Sequence, residues 1–144
     1  MKCNLITNKF PKEPLQSDGK IYGKVEVVDG KAKLTNGELI PRQPVDFIIT
    51  EDNCLVIGKR HTTLSGGKDV KAAGNLTIKG GKIRRIDNLS GHFRPTVKEG
   101  LKFPELLKKQ GLDVRGANLR LYEFDIDSGG YINNISTIVD TYLF

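Results

Sequence analysis

Asp46-Phe47-Ile48-Ile49-Thr50 and Cys54-Leu55-Val56-Ile57-Gly58 are two apolar runs joined by the polar triplet Glu51-Asp52-Asn53. Short runs rich in isoleucine, valine and phenylalanine are typical of strands. Because both runs are almost continuously apolar, we expect both faces of these strands to be buried. The stretch therefore predicts a hairpin inside a sheet.

Further hairpins are predicted on both sides of this one. Their residues follow a period of two, and glycine, asparagine and aspartate mark the turns between them. The predicted strand pairs are 21–28 with 31–35 around Asp29-Gly30 and 73–79 with 82–87 around Gly80-Gly81. A further strand at 119–126 is followed by a turn at Ser128-Gly129-Gly130 and by one or two closing strands within 131–144.

One helix is predicted late in the chain. Thr96-Val97-Lys98-Glu99 is a capping box, and Gly111 is a typical helix end. Pro104 should kink or split the helix between them. The predicted fold is of the α+β class and predominantly β, a twisted antiparallel sheet or partial barrel with one main helix at about 96–110. Residues 1–19 read as an N-terminal arm or linker, and 20–144 as a single domain.

Composition limits the classes of function. The 144 residues carry a net charge of +6, and residues 59–94 hold nine Lys or Arg against two acids, a local charge of +7. This excess favours anionic partners. No run approaches the ~20 apolar residues of a membrane span, and no signal peptide is visible. Two distant cysteines exclude a disulfide framework and a cysteine zinc site, and no other metal site is predicted.

The cationic stretch contains both histidines, His61 and His92. Two imidazoles among cations suit metal-independent cleavage of RNA, in which one ring acts as base and the other as acid, without a cofactor. A guanidinium would then stabilise the phosphorane. In the alternative interpretation, His92 only fixes the turn before the helix. The predicted catalytic residues are His61, His92, Arg60 and Arg94, and the predicted substrate-binding residues are Lys59, Thr62, Thr63 and Ser90.

Two other functions stay open from the residues. ADP-ribosyl transfer from NAD would use Arg60 or His61, the hydroxyls at 62–65, and Glu123 as the acid that steadies the ribose cation. The third option is a non-catalytic module that binds a protein or nucleotide and whose histidines are structural.

Three motifs carry a family resemblance. They are His61-Thr62-Thr63-Leu64-Ser65-Gly66-Gly67, Ala72-Ala73-Gly74 and Ser90-Gly91-His92-Phe93-Arg94-Pro95-Thr96. In this order they resemble a module of the plant IQ-motif calmodulin-binding proteins. The chain has no IQ motif of its own, so the resemblance does not imply calmodulin binding.

Two stretches give a second resemblance. Ile57-Gly58-Lys59-Arg60-His61 and Arg85-Ile86-Asp87-Asn88-Leu89-Ser90-Gly91-His92 are similar to C-terminal tails of bacterial Rhs and other polymorphic toxins. This resemblance implies a domain secreted within a larger toxin, acting on RNA or another anionic target in the cytoplasm of a competitor cell. It also implies a cognate immunity protein, which charge complementarity predicts to be acidic.

Overall fold

The computed structural model describes residues 5–124 and 135–143, which form one sheet of eight strands and three short helices. In chain order these elements are β1 (Lys20–Val28), β2 (Lys31–Leu34), β3 (Val45–Thr50), β4 (Leu55–Lys59), α1 (His61–Ser65), β5 (Val70–Lys79), β6 (Lys82–Asp87), α2 (Val97–Gly100), α3 (Phe103–Lys108), β7 (Asn118–Phe124) and β8 (Ile135–Tyr142). The predominantly β fold with a helix is confirmed.

The strands lie in the order β2-β1-β4-β3-β5-β6-β7-β8. Every neighbouring pair is antiparallel except β6 and β7, which are parallel. A parallel pair needs a long crossover, and residues 88–117, which contain α2 and α3, provide it. The hairpin predicted at 46–58 is β3–β4. It lies inside the sheet, and Phe47, Ile48 and Ile57 are fully buried.

The open sheet curls so that two distant turns meet. The backbone N–H of Ala32 donates to the carbonyl of Gly80 at 3.2 Å. A methyl group built on Gly81 would lie only 1.7 Å from the carbonyl oxygen of Gly30. The β1–β2 turn therefore packs directly on the β5–β6 turn, an approach that only glycine at position 81 permits.

The predicted helix is present but split. Thr96 Oγ1 accepts from the backbone N–H of Glu99 at 3.0 Å, and the Glu99 carboxylate accepts from the N–H of Thr96 at 2.8 Å, so the capping box is formed. Pro104 stands in the first turn of α3, where its missing N–H costs nothing. Phe103 packs edge-to-face on Phe47, with ring centroids 6.0 Å apart, and fixes α3 on the sheet.

Helix α1 was not predicted. It begins after Arg60, whose φ of 72° lies in the left-handed region, and it has no side-chain cap. Asp46 compensates by accepting from the Arg60 backbone N–H at 2.7 Å. The helix ends at Gly66, another left-handed residue. Gly66 is the signal that could have indicated this helix end.

The described part of the N-terminal arm lies on the sheet. Ile6 and Val70 exchange two backbone hydrogen bonds of 2.7 and 3.0 Å. Residues 1–4 of the predicted arm and the predicted turn at 128–130 lie outside the described residues. Within the described ranges, no helix is long and apolar enough to cross a membrane.

Candidate functional site

His61 opens helix α1 and is largely buried, with 9% of its surface exposed. Its Nε2 lies 2.7 Å from the carbonyl oxygen of Gly74 on β5. A carbonyl oxygen can only accept a hydrogen bond. The neutral ring must therefore carry its proton on Nε2, and that nitrogen is committed to the backbone of the protein.

Gly74 joins this contact to the loop that holds the second histidine. A methyl group built on Gly74 would lie 1.9 Å from the carbonyl oxygen of Asp87 and 3.2 Å from Cα of Asn88. The backbone at 87–88 thus crosses directly over Gly74. The first two motifs meet at Gly74, and the loop leading to the third passes over it.

The loop at 88–95 is fixed by two buried polar side chains. Asp87 Oδ1 accepts from the backbone N–H groups of Asn75 and Leu89, both at 2.9 Å. Asn88 is completely buried. Its amide donates to the carbonyls of Pro95 and Tyr122 at 2.9 Å and accepts from the N–H of Tyr122 at 2.8 Å. Asn88 thereby ties the loop to β7.

Arg94 is buried inside this loop, with 1% of its surface exposed. Its Nε donates to the carbonyl of Gly91 at 2.8 Å, and its guanidinium carbon lies 4.7 Å from the centroid of the Phe10 ring. Ser90 supports the same turn, because its Oγ accepts from the N–H of Phe93 at 3.2 Å. Arg94 and Ser90 therefore have structural partners within the chain.

The N-terminal arm covers His92. The backbone N–H of Lys9 donates to the carbonyl of His92 at 2.7 Å. The ring of Phe10 meets the imidazole edge-on at 6.2 Å between centroids. Glu13 Oε1 lies 3.5 Å from Nε2 of His92. His92 thus serves as the place where the arm docks on the loop.

Arg60 also binds the arm. Its Nε and Nη2 donate to the two carboxylate oxygens of Asp18 at 3.0 and 2.7 Å. This hydrogen-bonded pairing lowers the pKa of Asp18 and raises the pKa of Arg60. Because both side chains are largely exposed, the pair adds little stability, but it neutralises the guanidinium predicted to bind phosphate.

The other predicted site residues are divided between core and surface. Thr62 is buried, and within the described residues neither its Oγ1 nor that of Thr63 has a hydrogen-bond partner. Lys59 and Glu123 are exposed, on β4 and β7. Sequence reasoning missed Asn88 and Asp18. The polar pair at 87–88, directly after a buried strand, was the available signal for Asn88.

No group of three or more histidine, cysteine, aspartate or glutamate side chains in the described ranges is placed to hold a metal ion.

Comparison with known proteins gives two matches. Residues 31–100 match the family described as IQ motif-containing protein middle domain. The IQ domain-containing protein IQM2 of Arabidopsis thaliana is 25% identical over 105 residues, which cover 63% of this chain and 17% of that protein. This chain thus spans less than a fifth of that relative. No solved structure matches.

These matches confirm the resemblance to plant IQ-motif proteins and correct the functional interpretation. Neither match is to a toxin. The predictions of a secreted Rhs-type toxin, of a ribonuclease and of action inside a competitor cell are therefore wrong. The toxin resemblance rested on two short stretches, which the fold uses to build β4, β6 and the loop that follows β6. Neither match supports RNA or an immunity protein as a partner.

Asp87 gives the site a pH dependence that can be tested. Burial raises the pKa of its carboxyl, against the opposing effect of the N–H groups that it accepts from. Above its ordinary value of 3.8, the folded protein therefore binds more protons than the unfolded chain. The contribution of Asp87 to stability accordingly falls as pH rises from 3.8 through the raised pKa of the folded state. We expect the stability of Asp87→Asn relative to wild type to increase as pH rises above about 4, measured by urea unfolding.

Asp113→Asn is the matched control of opposite sign. Hydrogen bonds from Arg115 lower the pKa of Asp113 to about 2. Its carboxylate contributes stability that is present above 3.8 and is lost as pH falls through the folded value. This variant should therefore lose stability relative to wild type as pH rises from about 2 to about 4. If the stability of both variants relative to wild type changed with pH in the same direction, the opposite pKa shifts of Asp87 and Asp113 would be contradicted.

Proposed function

We propose that this chain is a non-catalytic module that binds a protein partner, with its histidines serving the fold. The observation that carries the proposal is the 2.7 Å contact between His61 Nε2 and the buried carbonyl of Gly74. A general acid or base needs its nitrogen within reach of a substrate proton. That nitrogen of His61 is already hydrogen-bonded to the backbone carbonyl of Gly74.

The comparisons support a module rather than a complete enzyme. The match to the middle domain of IQ motif-containing proteins covers residues 31–100, and the chain corresponds to 17% of the plant relative. A region matched to a middle domain, with a hydrophobic core of its own, is typical of a binding domain.

Calmodulin is the partner that an IQ motif suggests, and we propose that it binds outside this module. Calmodulin targets present an amphipathic helix with anchors spread over at least two turns. The helices of the described residues have four to six residues, at most about 9 Å of length. They also bury apolar residues such as Phe103 and Leu107, so no free helical face of sufficient length is available there.

A protein partner is favoured over a nucleotide by the charge of a cavity. The cavity has a volume of about 580 Å³ beside the β3–β4 turn. Its wall contains Glu51, Asp52 and Asp69 against a single cation, Lys68. Three carboxylates repel phosphate groups. The domain as a whole carries +6, which favours an acidic protein surface elsewhere on the molecule.

The experiment compares capture with catalysis. The tagged wild type is cross-linked in cells, and bulk RNA and NAD are incubated with the purified chain. We expect a saturable cross-linked partner, no RNA or NAD turnover, and no retention on immobilised calmodulin with or without calcium. His92→Ala and Glu123→Gln should capture the same partner as wild type. Turnover that either substitution abolishes, or the lack of any captured partner, would overturn the proposal.

A further inference from the structure

Strand β8, Ile135–Tyr142, is one end of the sheet. Its inner side is hydrogen-bonded to β7 from the Phe124↔Ile135 pair to the Asn118↔Tyr142 pair. In the described ranges no strand covers its outer side. An edge strand presents a row of outward N–H and C=O groups, which can pair with another chain.

The other edge of the sheet is protected, whereas β8 is not. β2 has only four residues, two of them the exposed lysines Lys31 and Lys33, and one of its N–H groups is already used by Gly80. Short length and lysine are the usual devices that block edge pairing. β8 has eight residues and contains no lysine, arginine or proline. Its charged residue, Asp140, is bound by Asn118 and Arg120 at 2.8 and 3.2 Å.

Apolar side chains mark where a partner would lie. Ile138 and Tyr142 are 53% and 65% exposed. The register between β7 and β8 shifts at Ile138, which has no partner of its own on β7. A bulge of this kind interrupts pairing locally. Regular pairing therefore runs from Ile135 to Thr137 and from Val139 to Tyr142. The second, longer stretch is continued by Leu143, whose N–H donates to the carbonyl of Ala117 at 2.9 Å.

Charge indicates which kind of chain could pair with the outer side of β8. Two copies of a +6 domain repel one another, which disfavours pairing of β8 with a second β8. A cation also lies at the far end of the strand. The N–H of Gly116 donates to the carbonyl of Leu143 at 2.7 Å, and the Lys82 ammonium lies near Gly116. Arg115 is exposed beside it and is paired with Asp113 at 3.1 Å.

We propose that β8 receives an extended acidic segment of a partner protein, which adds a ninth strand to the sheet. This inference rests on the proposed binding function and names the partner class and its place. Backbone hydrogen bonds along 139–142 would supply the attachment, and apolar side chains of the segment would cover Ile138 and Tyr142. Carboxylates of the segment would face the cation at the far end.

Defined peptides test the proposal on the full chain. The probe is a fluorescein-labelled nine-residue peptide of alternating valine and glutamate, and binding is followed by fluorescence anisotropy. We expect saturable binding that is at least about tenfold weaker for the valine–lysine peptide. A valine–glutamate peptide N-methylated at every residue keeps every side chain but loses the N–H donors of both edges, and it should not bind.

Matched variants locate the site. Ile138→Glu with Tyr142→Glu should weaken binding at least about tenfold, because the new carboxylates remove the apolar contacts and repel the acidic peptide. Leu39→Glu adds the same charge at an exposed leucine on the loop between β2 and β3 and serves as the control, expected to change binding less than about twofold. Equal binding of both peptides, insensitivity to N-methylation, or a concentration-dependent dimer that β8 substitutions abolish would overturn the inference. If the cross-linked partner is captured unchanged by the double variant, the edge assignment fails while the proposed binding function stands.

Discussion

Gly74→Ala should lower the free energy of unfolding by about 3 kcal/mol or more, as expected when atoms are forced into a packed site. The added methyl group would lie 1.9 Å from the carbonyl oxygen of Asp87 and 2.8 Å from its carbonyl carbon. Both are backbone atoms, which cannot rotate away as a flexible side chain can. The strand and the loop must separate, and the contact from His61 to the Gly74 carbonyl is disturbed with them.

Gly37→Ala is the control for the conformational effect of replacing a glycine. Gly37 has a φ of 85°, and a methyl group added there would have no atom within 4 Å, so its substitution tests backbone strain alone. We expect that strain to cost about 1–2 kcal/mol. Urea unfolding of both variants gives the comparison. A Gly74→Ala protein as stable as Gly37→Ala would show that the loop does not cross Gly74 as described.

Asn88→Asp should cost about 3–5 kcal/mol, the usual penalty for an uncompensated buried charge. The substitution replaces the amide that donates to Pro95 and Tyr122 by an oxygen that faces both carbonyls. Three oxygens would then meet in a site closed to water. Protonation of the new carboxyl restores one donor, so we expect the loss to shrink as pH falls.

Asn36→Asp is the matched control for Asn88→Asp. Asn36 is exposed, and its Oδ1 accepts from the N–H of Glu38 at 2.9 Å, a bond that a carboxylate can also accept. Its amide makes only a long, exposed bond of 3.5 Å to the carbonyl of Tyr22, where water can replace the donor. We expect its stability to change by less than about 0.5 kcal/mol. If both asparagine variants unfold at the same urea concentration, Asn88 does not hold the loop to β7.

Local patterns in the sequence were sufficient for the strands, but not for their order in the sheet or for the parallel pairing of β6 with β7. The run at 46–58 and the alternating segments around it correspond to strands β1–β8, because a period of two has one structural meaning over short runs. The capping box at 96–99 predicted the start of the helix, and Pro104 predicted its division, because both signals are also local. Helix α1 has only five residues and no side-chain cap, so neither signal was present for it.

The candidate site required contacts that no local pattern shows. The stretch 59–94 carries +7 when counted alone, which favoured an anion pocket. The carboxylates beside Arg60 and His92 are those of Asp18 and Glu13, both on the arm and outside the counted stretch. The pairing of Arg60 with Asp18 joins residues 42 positions apart. The sequence therefore showed which residues of the stretch are charged, but it did not show which carboxylates of the arm they pair with.

The position of the His61 proton is the most direct test of the claim that the histidine motifs serve the fold. A long-range proton–nitrogen NMR spectrum of the labelled chain at about pH 8 reports which ring nitrogen is protonated. We predict a proton on Nε2 that exchanges slowly with water, because it is donated to the Gly74 carbonyl. A ring protonated on Nδ1, or an Nε2 proton in rapid exchange, would leave that nitrogen free for other chemistry and would contradict the account.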